Sequence, residues 1–356
     1  MAPRVRLPRL PRGRPRLRPR HALAIRLIAL LAFIGPGLVA ANAGNDAGGI
    51  ATYASVGAKY GYDLLWMMVL ITISLIVVQE MAARMGAVTG KGLAELIREQ
   101  YGPRWSLFST FAVLLANLGI CISEFVGVGA ALGLAGVPPQ ISVPIAAVVI
   151  WLLVVRGSYK LAERVFVAMT LPFFAYPAAA ILAHPHWGSV GRAVVEPQIH
   201  LTSAAQAAKA LEPFAGRFAE ALFAVGLLGA SLLAAAILPV TAAYVIAETF
   251  GLEKGIARRP REAPVFVTTL TVLLFVGAAV AMIPGLPVFE LLIFVQVLNG
   301  ALLPVTLFFV WRLSRNEELM GEYRNGRVFD AVAAVTVIAT GALSLVLVGL
   351  TLTGKA

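Results

Sequence analysis

The chain has 356 residues, 59% of them hydrophobic and 13% charged, with a mean hydropathy of +0.85. Soluble domains carry roughly 25% charged residues, so this composition excludes one and specifies a polytopic membrane protein of the all-α class. Cys121 is the only cysteine, which excludes an intrachain disulfide and any thiolate metal cluster.

The net charge of +11 gathers at one end: eight arginines fall within residues 1–20. Proline recurs there every few residues and prevents a helix. Residues 1–22 read as a disordered cytoplasmic tail held near anionic lipid. A nucleic-acid-binding arm is the weaker reading, and no nucleic-acid partner is expected. Ala41-Asn42-Ala43 resembles a signal-peptidase site. Cleavage there would sever the segment that follows from its helix, and the basic region is too long and too proline-rich for a leader.

From residue 23 onward the chain reads as one transmembrane domain. The apolar runs predict nine spans: 24–56 (broken), 62–84, 106–133, 140–155, 162–183, 218–248, 264–283, 288–312 and 329–352. With the N-terminus in the cytoplasm, 24 of the 29 Lys and Arg fall on the cytoplasmic side. The other side receives Lys59, Arg192, Lys209, Arg217 and Lys355. This bias places the C-terminus outside. The connections are short except 184–217, within which Ala204–Leu211 could form a short helix.

Asp46 stands in the first apolar run, in Asn45-Asp46-Ala47-Gly48-Gly49. An acid at membrane depth is costly and marks a functional site by default; the bland reading is a local cap or pair. Gly48 and Gly49 beside it predict a helix break that frees backbone carbonyls. Glu124 lies mid-span with Asn117 seven residues earlier on the same face, and serves either as a proton or cation relay or as a structural partner. Glu80 and Arg84 are four apart and predict an ion pair. Gln296 and Asn299 precede Pro304 and either supply neutral oxygens to a cation or join helices. Ser231 and Thr241 bracket Pro239 and predict a kink satisfied by hydroxyls. Gly127 and Ala131 read as helix packing.

His21, His184, His186 and His200 all lie outside the deep apolar runs, so no imidazole metal site is expected within the membrane. The hard oxygen chemistry suits magnesium or manganese. With no nucleophile–base pair, phosphate-cradling loop or zinc spacing, an enzyme is not expected.

The stretches FIGPGLVAANAGNDAGGIATYASVGAKYGYDLLW and AARMGAVTGKGLAELIREQYG resemble the natural resistance-associated macrophage protein (Nramp) family of divalent metal transporters. RGSYKLAERVFVAM, LNGALLPVTL and LMGEYRNGR fit the same family. The resemblance implies two inverted repeats of five helices with the ion between two broken helices. Here the first repeat would be about 24–183 and a shortened second about 218–352. The family's first-helix Asp-Pro-Gly-Asn reads Asp46-Ala47-Gly48-Gly49, so the Asp is kept and the Asn is replaced by Gly49. That departure resembles the magnesium and manganese branch. The resemblance implies a metal set of Asp46, Ala43, Gly49 and Gln296, with Glu124 as the proton or ion relay.

No counterpart of the family's sixth and seventh helices can be found, which leaves nine of eleven spans. The expected function is transport of manganese or magnesium in a bacterial inner membrane, with the transported ion and no resident cofactor. The alternative is a degenerate or scaffold protein of the same family without transport. A carrier of small organic solutes ranks last, because Asp46 would repel a carboxylate. The missing helices predict a groove beside Asp46, open to lipid, to water or to another subunit, and a second copy or a separate protein is expected to fill it.

Overall fold

The computed structural model describes residues 37, 39, 41–157, 159–182, 185–195, 217–256 and 258–353. The tail 1–22, residues 24–36 of the first span, His184, His200 and the stretch Ala204–Leu211 lie outside the described residues. Among the described residues there is no β-strand.

A helical turn at residues 41–43 gives way to a turn and bend, and α1 (Ala47–Tyr60) begins after Asp46. Then follow α2 (Leu65–Thr89), α3 (Leu93–Tyr101), α4 (Pro103–Leu134) and α5 (Pro139–Trp151), which runs into a π-helical turn at Leu152–Arg156. The predicted fifth span is interrupted. It comprises α6 (Tyr159–Met169), a 3-10 turn (Leu171–Phe174) and α7 (Ala175–Leu182). Pro172 lies in that turn and has no N–H to offer, while the Thr170 hydroxyl donates to the Val167 carbonyl at 2.7 Å. Next come α8 (Trp187–Val195), α9 (Arg217–Phe250), α10 (Pro264–Ala281) and α11 (Val288–Ser314). A short α12 (Glu317–Met320) precedes α13 (Arg327–Leu352). The helix α8 falls in the segment read as loop. It buries no residue of its own and forms against α2, a tertiary contact that local sequence does not announce.

Among the described residues, seven helices are long and apolar enough to cross a bilayer: α2, α4, α5 with its π turn, α9 from Ala224, α10, α11 and α13. Their boundaries follow local chemistry. Prolines open α4, α5 and α10, where an N–H would be unpaired anyway. Gly90 closes α2 in the left-handed region at φ 66°, ψ 11°, which costs a residue without Cβ little. The predicted Glu80–Arg84 pair forms at 2.8 Å, and Arg84 also donates to Asn325 Oδ1 at 2.7 Å, tying α2 to the turn before α13.

The long helix α4 is the axis of the bundle and touches α1, α3, α5, α9, α10 and α11. Its small residues allow this. A Cβ added at Gly127 would lie 2.6 Å from Ala47 Cβ and on top of Ser231 Oγ, so three helices meet there at backbone distance. Cys121 Sγ donates to the Leu273 carbonyl at 3.4 Å. Ser231 is fully buried where α9 meets Gly127 of α4. Of the two hydroxyls that bracket Pro239, Thr241 bonds backward to Ile237 at 3.1 Å, and the helix continues through the proline.

Candidate functional site

Asp46 starts α1. Its backbone is extended (φ −80°, ψ 167°) and its Oδ1 accepts the Gly49 N–H at 2.9 Å, the geometry of an N-cap. The break therefore lies at residues 44–46, not at Asn45–Gly49 as the sequence suggested. Gly48 and Gly49 are inside the first helical turn, because the cap supplied by Asp46 outweighs their weak helix propensity. Gly49 meets the carboxylate through its N–H, a donor that holds Asp46 in place.

The carboxylate is buried, with 8% exposure. Gln296, on α11, donates its Nε2 to Asp46 Oδ2 in a short hydrogen bond. Asn299 has no such contact with Asp46. Gln296 passes directly over Gly48: a Cβ there would overlap Nε2 and sit 3.0 Å from Cγ and 3.1 Å from Cδ.

The second acid lies on the other side of the same helix start. In an unbroken helix the Ala47 N–H would donate to the Ala43 carbonyl. Instead it donates to both oxygens of Glu124, at 3.2 and 3.3 Å, which frees Ala43 from that bond. Ala43 is buried at 8% exposure, Ala47 and Glu124 at 0%. Ser123 Oγ adds a bond to Glu124 Oε1 at 3.4 Å. Asn117 is buried on the same helix face, and its Nδ2 makes no hydrogen bond.

The structure thus gathers Asp46, Gln296 and Glu124 around one helix terminus. The positive end of a helix dipole favours the carboxylates there. Among the described residues no three His, Cys, Asp or Glu side chains cluster, so a cation held here would rely on one carboxylate, neutral oxygens and its own water. Two participants were missed from sequence: the Ala47 N–H, because donors at a helix start carry no side-chain signal, and the clearance at Gly48, which depends on a helix 248 residues away.

These features define a membrane-embedded α-helical bundle with an acid at a discontinuous helix. The profile of the natural resistance-associated macrophage protein-like family matches residues 37–204 and 197–350, and the chain belongs to that family. A divalent metal cation transporter MntH of Bacillus subtilis is 31% identical over 258 residues, covering 70% of this chain and 55% of the relative. One of Ralstonia nicotianae is 34% identical over 216 residues, covering 57% and 44%. One of Acidiphilium cryptum is 33% identical over 174 residues, covering 48% and 40%. The chain spans about half the length of the curated relatives it matches. The crystal structure of a variant of the Eremococcus coleocola manganese transporter superposes with a TM-score of 0.73 at 18% identity, covering 89% of this chain and 86% of that one, which establishes the fold.

Proposed function

We propose that this protein carries a divalent metal cation of the manganese or magnesium class across the membrane, with the ion held at Asp46. The observation that carries this reading is a buried carboxylate fixed at a break in the first helix, with Gln296 laid against it. The Ala43 carbonyl, released from its helical bond, supplies a hard oxygen. A half-turn of the Gln296 amide exchanges its donor for Oε1 and supplies another. With so few protein ligands, the ion keeps much of its water, as magnesium prefers. Glu124, joined to the site through Ala47, is the proton or ion relay. The names of the relatives support the substrate class. Uptake of manganese or magnesium into vesicles tests the reading, with Asp46→Ala as control; equal uptake by both proteins would defeat it.

The charge distribution supports a cytoplasmic N-terminus and an outer C-terminus, in a bacterial inner membrane. The sequence supports the absence of the sixth and seventh helices, between a first repeat of about 24–183 and a shortened second of about 218–352. We place a second copy or a separate subunit in the groove that the missing helices would leave beside Asp46. Crosslinking in native membranes that yields only monomers would count against it. The missing spans read from the sequence favour a second reading, a degenerate or scaffold protein without transport; manganese binding at micromolar concentration would remove it.

A further inference from the structure

We infer that Gly48 is a positioning residue for Gln296: the missing side chain at this position is what lets the amide cross α1 and reach the Asp46 carboxylate. The inference rests on the proposed ion site and deepens it.

The geometry constrains Gln296 where it crosses α1. Against α1, a methyl at Gly48 would overlap the Gln296 amide nitrogen and press on Cγ and Cδ at 3.0 and 3.1 Å. Three heavy atoms along the side chain are affected, so a rotation of the amide alone cannot relieve the overlap. Against α4, an added Cβ at Gly119 would make only ordinary contact with Val295 Cγ1 at 3.4 Å and Leu298 Cδ2 at 3.7 Å, so the close approach of α11 is confined to Gly48. Val295 is 3% exposed. The three atoms nearest to a Cβ on Gly48 all belong to Gln296, so a side chain there displaces Gln296 from Asp46.

Gly48 has no need of glycine for its backbone. It lies inside α1 with its neighbours in regular helix, and alanine is the better helix former by about 1 kcal/mol. An exposed helix would gain stability from Gly48→Ala. Here the opposite sign follows from one contact. The neighbouring Gly49 differs, because a Cβ there meets Asp46 Oδ1 at 2.6 Å and acts on the carboxylate itself. The two glycines divide the work: one clears the cap of Asp46, the other clears the path of its amide partner.

The test is a double-mutant cycle on the purified full chain, with Gly48→Ala, Gln296→Ala and the double variant beside the parent. Manganese binding is read by calorimetry, and thermal unfolding is read without metal in the same detergent. Gly48→Ala and Gln296→Ala should each weaken manganese binding by about tenfold, a free-energy change of about 1.4 kcal/mol. The double variant should bind within about twofold of Gln296→Ala, because the methyl then has nothing to displace. Unfolding should show the same lack of additivity, the double variant melting at or above the Gly48→Ala protein. If Gly48→Ala alone does not fold, recovery of folding in the double variant supports the inference and failure to recover overturns it. Losses that simply multiply, or a Gly48→Ala protein that matches the parent, also overturn it. A parent that binds no manganese defeats the ion-site reading, while the metal-free unfolding cycle still decides whether Gly48 positions Gln296.

Discussion

The backbone N–H of Ala47 is held by both carboxylate oxygens of Glu124, at 3.2 and 3.3 Å, across 77 residues of sequence. The bond replaces the one that would have made the first helix continuous. It places the start of α1 under the control of α4, so the two acids of the site share one helix terminus: Asp46 caps it from within the chain and Glu124 from outside.

Removing Glu124 should therefore cost stability before it affects any ion. Glu124→Ala leaves the Ala47 N–H buried without an acceptor, a loss of about 1–3 kcal/mol. Glu124→Gln keeps one acceptor oxygen and should lose less than half as much. Thermal unfolding in detergent distinguishes them. An alanine variant that melts with the parent would mean that Ala47 finds another acceptor.

Asp46 should separate folding from ion handling. Asparagine and aspartate are equivalent N-caps, so Asp46→Asn keeps the bond from Gly49 and should unfold within about 1 kcal/mol of the parent. It loses the charge, and manganese uptake into vesicles should fall by about tenfold or more, the equivalent of 1.4 kcal/mol. Asp46→Ala should lose both cap and uptake.

Gly127 marks the closest approach of three helices. A methyl there would press on Ala47 Cβ at 2.6 Å and on Ser231 Oγ, and overpacking of this kind costs about 1–3 kcal/mol. Gly127→Ala should lower the melting temperature, and adding Ser231→Ala should restore part of the loss. A Gly127→Ala protein as stable as the parent would show that α1 can move away from α4.

Outside the bilayer, Lys254 bridges Glu95 and Glu248, each at 3.1 Å. Burial pulls its ammonium down, but the hydrogen bonds and charges of Glu248 and Glu95 outweigh this and hold it above the ordinary lysine value of 10.5. The folded state thus binds the proton more tightly than the unfolded chain. The stabilisation is complete below about pH 10 and is lost as pH rises through the raised value. Lys254→Met should melt below the parent at pH 8, and the gap should close as the pH passes the lysine range. A gap unchanged at high pH would assign the effect to packing of the side-chain stem.

Much of this arrangement was legible in the sequence. An acid in an apolar run, a second acid mid-span and an amide in a third run were readable because polar groups in hydrocarbon are few and each needs a reason. The Glu80–Arg84 pair was readable from helical spacing. What escaped depended on contact between distant segments. Gly48 and Gly49 have weak helix propensity, so they looked like the break itself; only the cap on Gly49 shows that the helix has already begun. The interruption at Pro172 was hidden in a run whose hydropathy stays high on both sides. The helix Trp187–Val195 forms against α2, and nothing within its own nine residues requires that contact.

The 32 residues of α4 make a rod of about 48 Å, while the hydrocarbon slab is about 30 Å thick. The surplus must be absorbed by leaning or by overhang. Glu124 lies ten positions from the rod's far tip at Leu134, roughly 15 Å along its axis, so any change of lean alters the acid's depth and the start of α1 with it. The start of α1, bonded to Glu124 through the Ala47 N–H, would follow the acid in depth.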